Sequence, residues 1–252
     1  MKTSNRILLI FFINIFLIPL CLFIGFSAQI RGGKYTREEN RIYQDVVKTG
    51  TLKPAHTVKL MASERLLVCN VEYGDSLYYR YDTPYSEDSL SIVVSGDTLF
   101  VNYVGTIPDD ILRQGQQPLN VKLFLPQVSS FIVENGLVNV LSMDTTKTQT
   151  VLAEVTGGGV FNIGGPAIVS GENRSNEKHQ KRQLLIDQLS FTSHNGRLEL
   201  ADSVKLRSLK LQVTGNSTIQ LNKGVEVKEV SGSISDSTKI EGNWDVIKKI
   251  NH

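Results

Sequence analysis

Two cysteines in a chain of 252 residues cannot staple it together. Cys21 lies inside an apolar N-terminal run and Cys69 in a strand-like segment, so no disulfide framework is expected and packing must hold the fold. Neither cysteine has a CxxC neighbour, and none of His56, His179, His194 and His252 stands four residues from another. The common zinc patterns are therefore missing, and neither metal nor cofactor is expected. Charge of one sign is not in excess: 27 Lys and Arg face 25 Asp and Glu. No global field draws the chain to nucleic acid. Catalytic signatures are missing as well. There is no Gly-x-Ser-x-Gly elbow, and the glycines at 157–159 and 164–165 lack the Lys-Ser/Thr ending and the following helix of a phosphate loop. No catalytic residue is assigned.

One long hydrophobic run is present. Ile7 to Phe26 is broken only by Asn14, Pro19 and Gly25, and Lys2 and Arg6 precede it. About 20 apolar residues span a bilayer core, so 7–28 is expected to be a transmembrane signal anchor behind a cytoplasmic stub, 1–6. Secretion after cleavage of a signal peptide is the alternative. The body is placed beyond the inner membrane, in the periplasm or outside the cell, with the membrane as a partner through 7–28. Residues 29–51 read as a juxtamembrane linker and helix. Thr36 to Glu39 has the form of a capping box, Ile42, Tyr43, Val46 and Val47 make a helical stripe, and Gly50 is a stop.

From Thr57 the helical period gives way to short alternating segments, such as Leu77–Tyr81, Leu90–Val94 and Leu99–Tyr103, bounded by Gly, Asp, Ser or Pro. A turn-and-strand unit then recurs. Leu189–Ser193, Leu209–Val213 and Val230–Ile234 each precede a corner, His194-Asn195-Gly196, Thr214-Gly215-Asn216 or Ser235-Asp236-Ser237, and then a second short strand. Val138-Asn139-Val140 and Phe161-Asn162-Ile163 match in the same way. This period predicts an all-β body, a single-stranded β-solenoid resembling a β-helix with about 20–22 residues and three short strands per coil. Asn and Gly at the corners suit positive φ. The solenoid is expected over 52–246, with a polar insertion at 166–183 and a C-terminal cap and tail at 247–252. Trp244, Ile247 and Ile250 are spaced to cover the last coil. Antiparallel hairpins would give a sandwich instead, and Ser95-Gly96-Asp97-Thr98 has the form of a hairpin turn.

The basic apolar anchor, the polar linker, the Val-Lys-Leu-Phe-Leu-Pro step (Val121 to Pro126) and the Gly/Asn corners together resemble the head-GIN domain family. That family is described as autotransporter adhesin-like and is common in Bacteroidota envelope proteins. The resemblance covers roughly Leu52 to Trp244. It implies an exposed β-solenoid and brings no catalytic residues; the charged insertion after Pro166 departs from it.

Two clusters are candidate binding surfaces. Tyr78, Tyr79 and Tyr81 belong to the densest aromatic group, alternate members of which would face outward to stack on sugars or partner side chains. Lys178, His179, Lys181 and Arg182 lie in the polar insertion, where a loop on a rigid scaffold often binds. Ser76, Ser89, Thr98, Thr145, Ser203 and Ser237 each follow an aspartate in Asp-Ser/Thr triplets similar to the O-glycosylation acceptor of Bacteroidota envelope proteins. Asp-Ser/Thr is also ordinary turn chemistry. A native intact mass above that of the polypeptide is the signature of modification. The expected function is a membrane-anchored binding, adhesion or structural envelope module without catalysis, its partner a glycan or an envelope protein and its oligomeric state open. The alternative is a polysaccharide-active β-helix using surface carboxylates about 5–9.5 Å apart.

Overall fold

The computed structural model describes residues 17, 19, 46–63, 67–83, 90–103, 119–126, 128–144, 149–165 and 183–250. The chain divides into two compact units, Met1–Asp45 and Val46–His252. Of the first unit only Leu17 and Pro19 are described, both helical. Every described strand belongs to the second.

The second unit begins with β1 (Val46–Thr51), β2 (Thr57–Ala62), β3 (Leu67–Tyr73), β4 (Tyr78–Thr83), β5 (Leu90–Ser95), β6 (Thr98–Tyr103) and β7 (Leu119–Leu125). It continues with β8 (Ser130–Glu134), β9 (Leu137–Val140), β10 (Thr150–Thr156), β11 (Val160–Ile163), β12 (Leu184–His194) and β13 (Arg197–Leu200). Last come β14 (Val204–Thr214), β15 (Thr218–Leu221), β16 (Glu226–Ile234), β17 (Lys239–Gly242) and the helix α1 (Trp244–Ile250). Strand alternation is plain in the burial pattern, buried on every second residue in β2, β6, β10 and β15. In these strands one side is buried and the other more open, which suits a sheet covered on one face only.

Two sheets result. The nine-stranded sheet has the order β1-β4-β7-β3-β9-β11-β13-β15-β17, and the eight-stranded sheet β16-β14-β12-β10-β8-β2-β6-β5. From β8 onward each repeat gives one strand to each sheet, and strands of successive repeats pair in parallel, Leu189 beside Leu209 and Leu209 beside Val230. Between the sheets lie rows of apolar side chains. Phe131 from the eight-stranded sheet meets Phe161 from the nine-stranded one, ring centroids 5.1 Å apart and tilted by 43°.

The expected single-stranded solenoid is corrected by this topology. Both sheets are mixed: β1 with β4, β4 with β7 and β5 with β6 are antiparallel. The first half does not advance coil by coil, because β3 inserts between β7 and β9, and β2 between β6 and β8. Each later repeat holds two strands, not three. The apolar pairs Val204/Leu206 and Leu209/Leu211 belong to the one strand β14, whose buried alternation slips by a residue at Arg207–Ser208. The hairpin turn is present: Ser95 faces Thr98, and Gly96 takes a φ of 59°.

The juxtamembrane helix is corrected at its C-terminal end. Residues 29–45 lie outside the described ones, and Val46–Thr51 is a strand because its β-branched residues pair with β4. Gly50 is not a helix stop. It faces Tyr79, whose ring crosses over it and would collide with a Cβ. The transmembrane helix finds no support among the described residues. No described helix is long and apolar enough to cross a membrane, and α1, with 7 residues, is far too short. The segment expected to span, 7–28, lies outside the described residues save Leu17 and Pro19.

At the C-terminal end the helix α1 packs through other residues than the spacing of Trp244, Ile247 and Ile250 suggests. Trp244 is 64% exposed, with Lys248 over its ring, while Val246 is the buried residue and Ile250 packs on the core. Asn243 Nδ2 donates to the Lys223 and Val225 carbonyls at 3.0 and 2.8 Å, and Lys249 Nζ to that of Val227 at 2.6 Å.

Cys69 sits at the centre of the nine-stranded sheet between Val121 and Val138, fully buried. Burial pushes its thiol up to about 12, so the reactive thiolate is scarce at neutral pH. Peptide mapping after alkylation is expected to find Cys69 unmodified in the folded chain and modified in denaturant.

Candidate binding surface

The corners that carry the chain between sheets rest on Asn and Gly. Asn135 and Asn195 both hold φ of 59°. The Asn195 carboxamide oxygen accepts from the Asn216 N–H at 2.8 Å, which ties one corner to the next. Beneath them, Ser193 and Ser217 hydroxyls meet at 3.2 Å, and both accept from the Gly196 N–H, at 3.0 and 3.3 Å. Fixed corners make the outward face of the eight-stranded sheet regular over β10, β12, β14 and β16.

On that face the parallel register places Glu154, Thr192, Gln212 and Ser233 in one row and Leu152, Ser190, Lys210 and Ser231 in the next. A third row runs Thr156, His194, Thr214, with His194 Nδ1 3.2 Å from the Thr214 hydroxyl. Neighbouring strands are about 4.8 Å apart and same-face residues about 7 Å apart along a strand. These rows are rich in hydroxyl groups, with Glu154 and Lys210 among them, and the same strands carry the ion pairs Lys205–Glu226 and Arg207–Asp187. Sequence reasoning missed this surface, although the alternating Ser, Thr and Gln within each repeat were its signal.

The Tyr cluster is split between two faces. Tyr78 pairs with Phe124 on the outward side of the nine-stranded sheet, their rings stacked at 4.2 Å and 11°. Tyr79 and Tyr81 point to the other side, opposite Leu123 and Val121, stacked on each other at 6.0 Å and packed against the core. Tyr73 is likewise structural: its hydroxyl donates to the Val128 carbonyl, and burial pushes its pKa up to about 12. Lys178, His179, Lys181 and Arg182 lie outside the described residues, as do Ser89 and Thr145. Ser76 is exposed on the turn between β3 and β4; Thr98 and Ser203 are half-buried. Ser237 is exposed, but its hydroxyl donates to the Gly215 carbonyl at 2.7 Å.

A polar row crosses the outward side of the nine-stranded sheet: Asn70, Asn139, Asn162, Glu199, Gln220 and Glu241 are successive register partners. Asn139 Nδ2 donates to the Asn70 carboxamide oxygen at 3.1 Å, both residues buried, and Asn162 Nδ2 to Glu199 at 3.3 Å. Arg197 pairs with Glu199 at 2.7 Å, and Lys239 with Glu241. Glu199 and Glu241 stand two strands apart, about 10 Å. That exceeds the spacing of paired glycosidase carboxylates, and Lys239 holds Glu241 below its ordinary value, the opposite of what a general acid needs. Among the described residues no group of three His, Cys, Asp or Glu is placed to hold a metal ion.

Neither a protein-family model nor a curated protein matches the chain. Solved structures do. A candidate adhesin from Parabacteroides distasonis is similar over 78% of this chain and 81% of its own, at 12% identity and a TM-score of 0.44. Another from Parabacteroides merdae covers 78% and 92%, at 12% identity and 0.31. A candidate lipid binding protein from Parabacteroides distasonis covers 78% and 96%, at 12% identity and 0.29. At such scores the likeness carries no weight for the site, which stands on this chain's own residues.

Proposed function

We propose that the chain is a non-catalytic binding module of a bacterial envelope, related to the head-GIN proteins, with the outward face of the eight-stranded sheet as its contact surface. The observation that carries this reading is the Ser, Thr and Gln lattice over β10, β12, β14 and β16. Hydroxyl and amide groups at fixed spacing donate and accept in every direction, and a neutral polyhydroxylated chain such as a glycan presents the same pattern. The apolar run from Ile7 to Phe26 serves as the export segment that takes the body out of the cytoplasm.

The test is binding of the full-length chain, in detergent, to a panel of immobilised bacterial polysaccharides. Thr192→Arg together with Gln212→Arg, both at exposed positions, crowds the lattice without touching the core. The double variant is expected to bind at least about tenfold more weakly, a loss of about 1.4 kcal/mol. Equal binding by the variant, or release of new reducing ends from any polysaccharide, would sink the reading.

A further inference from the structure

The eight-stranded sheet ends on β5, and among the described residues no strand pairs with the outer side of this edge. Ser95 faces Thr98 across the two-residue turn, so the hydrogen-bonded pairs with β6 fall at Ser95, Val93 and Ser91. The N–H and C=O groups of Leu90, Ile92 and Val94 therefore point away from β6. Edges of this kind are ordinarily guarded by Lys, Pro, a bulge or a covering element. Leu90–Ser95 contains no charged residue and no proline, and its register with β6 runs without a bulge. At the far end of the same sheet, Lys249 and Asn243 take up the carbonyls around the start of β16. On the outward face Val93 is 53% exposed and adjoins Phe100.

We propose that β5 is a dimerisation edge, at which two copies of the chain join antiparallel about a two-fold axis and extend the eight-stranded sheet across it. The edge is complementary to itself. With Val93 on the axis, Ile92 meets the partner's Val94 and Ser91 meets the partner's Ser95, so apolar faces apolar and serine faces serine. No like charges oppose one another. The Phe100–Val93 strip continues onto its symmetry copy. A charged strand from another protein would gain no ion pair along this edge, whereas closed two-fold pairing is the commonest route to a homo-oligomer. The dimer does not depend on what the Ser, Thr and Gln lattice binds.

Sedimentation velocity of the full-length chain in detergent tests this over a wide concentration range. Val93→Lys places two ammonium groups face to face on the axis at a half-exposed position, and Ser91→Lys charges the same face at an exposed one. Leu152→Lys adds the same charge on β10, away from the edge, at a residue 48% exposed. The wild-type chain is expected to dimerise, both edge variants to raise the dissociation constant at least about tenfold, and L152K to leave it unchanged. A wild-type chain that stays monomeric throughout overturns the proposal. So does a dimer that survives both edge variants, or one that L152K weakens as much as they do.

Discussion

Phe161→Ala is expected to remove about 3–5 kcal/mol of stability. Phe161 is fully buried on β11, in register with Val138 on one side and Leu198 on the other. Its ring is where the two sheets meet, against Phe131 from the facing layer. Truncation leaves a hole bounded by two registered sheets, and neither can move inward without breaking its parallel ladder. The cavity thus stays largely open, which places the cost at the upper end of the range for such changes. For a body of this size each kcal/mol lowers Tm by about 2–4 °C, so a fall of about 10 °C is expected. Urea denaturation gives the free energy directly. Leu152→Ala, at a position 48% exposed, is the comparison and should stay within about 0.5 kcal/mol of wild type. A Phe161→Ala loss below about 1 kcal/mol would mean that the sheets are not held together there.

Local features were legible in the chain where they depend on neighbours in sequence. The alternation of Leu99, Val101 and Tyr103 shows β6, and the Ser-Gly-Asp-Thr turn shows its hairpin with β5. Asn195-Gly196 and Gly215-Asn216 mark corners because few residues tolerate positive φ. Equal spacing of the later repeats makes their parallel pairing readable, since like residues then fall side by side. What was not legible is long-range order. Nothing local says that Cys69 lies between Val121 and Val138, or that β2 and β3 slip between strands that follow them in the chain. That choice is made by packing among segments of similar pattern, and a regular period extrapolated backward from the second half misses it. Val46 to Thr51 failed for a related reason. Its apolar spacing suits a helix, but pairing with β4 decides its conformation.

The site was legible only in fragments. Alternation along a strand turns only some of Tyr78, Tyr79 and Tyr81 outward, and which ones depends on the register with β7, which sends Tyr78 one way and the other two inward. Asn139 and Asn162 were visible as matched centres of Val-Asn-Val and Phe-Asn-Ile, yet their burial beside Asn70 requires a strand from far upstream. Asp97 is similar: its lowered pKa comes first from the hydrogen bond with His56, 2.7 Å away, a contact between residues 41 positions apart.

Gly232→Ala is expected to lower stability by about 3 kcal/mol, with the damage confined at first to the C-terminal end. The inward row Phe131, Ala153, Phe191, Leu211 ends at Gly232. The corresponding row Val140, Ile163, Leu200, Leu221 ends at Gly242. Both glycines hold strongly positive φ, 125° and 116°, and a Cβ on either would run into the carbonyl of the leucine beside it. The cost has two parts. An L residue in that backbone region costs roughly 1–3 kcal/mol, and shifting the strands to relieve the overlap with the Leu211 carbonyl costs about 1–3 kcal/mol more. Gly96→Ala separates them, since Gly96 has a φ of 59° but open space around it. It should lose only about 1 kcal/mol, the smaller penalty of the left-handed region. Hydrogen exchange should show β16, β17 and α1 opening first in Gly232→Ala, with β10 and β12 still protected, because the last repeat touches the body through one pair of strands and can peel away alone. A loss no greater than that of Gly96→Ala, or exchange rising equally through β10, would contradict the close approach at Leu211.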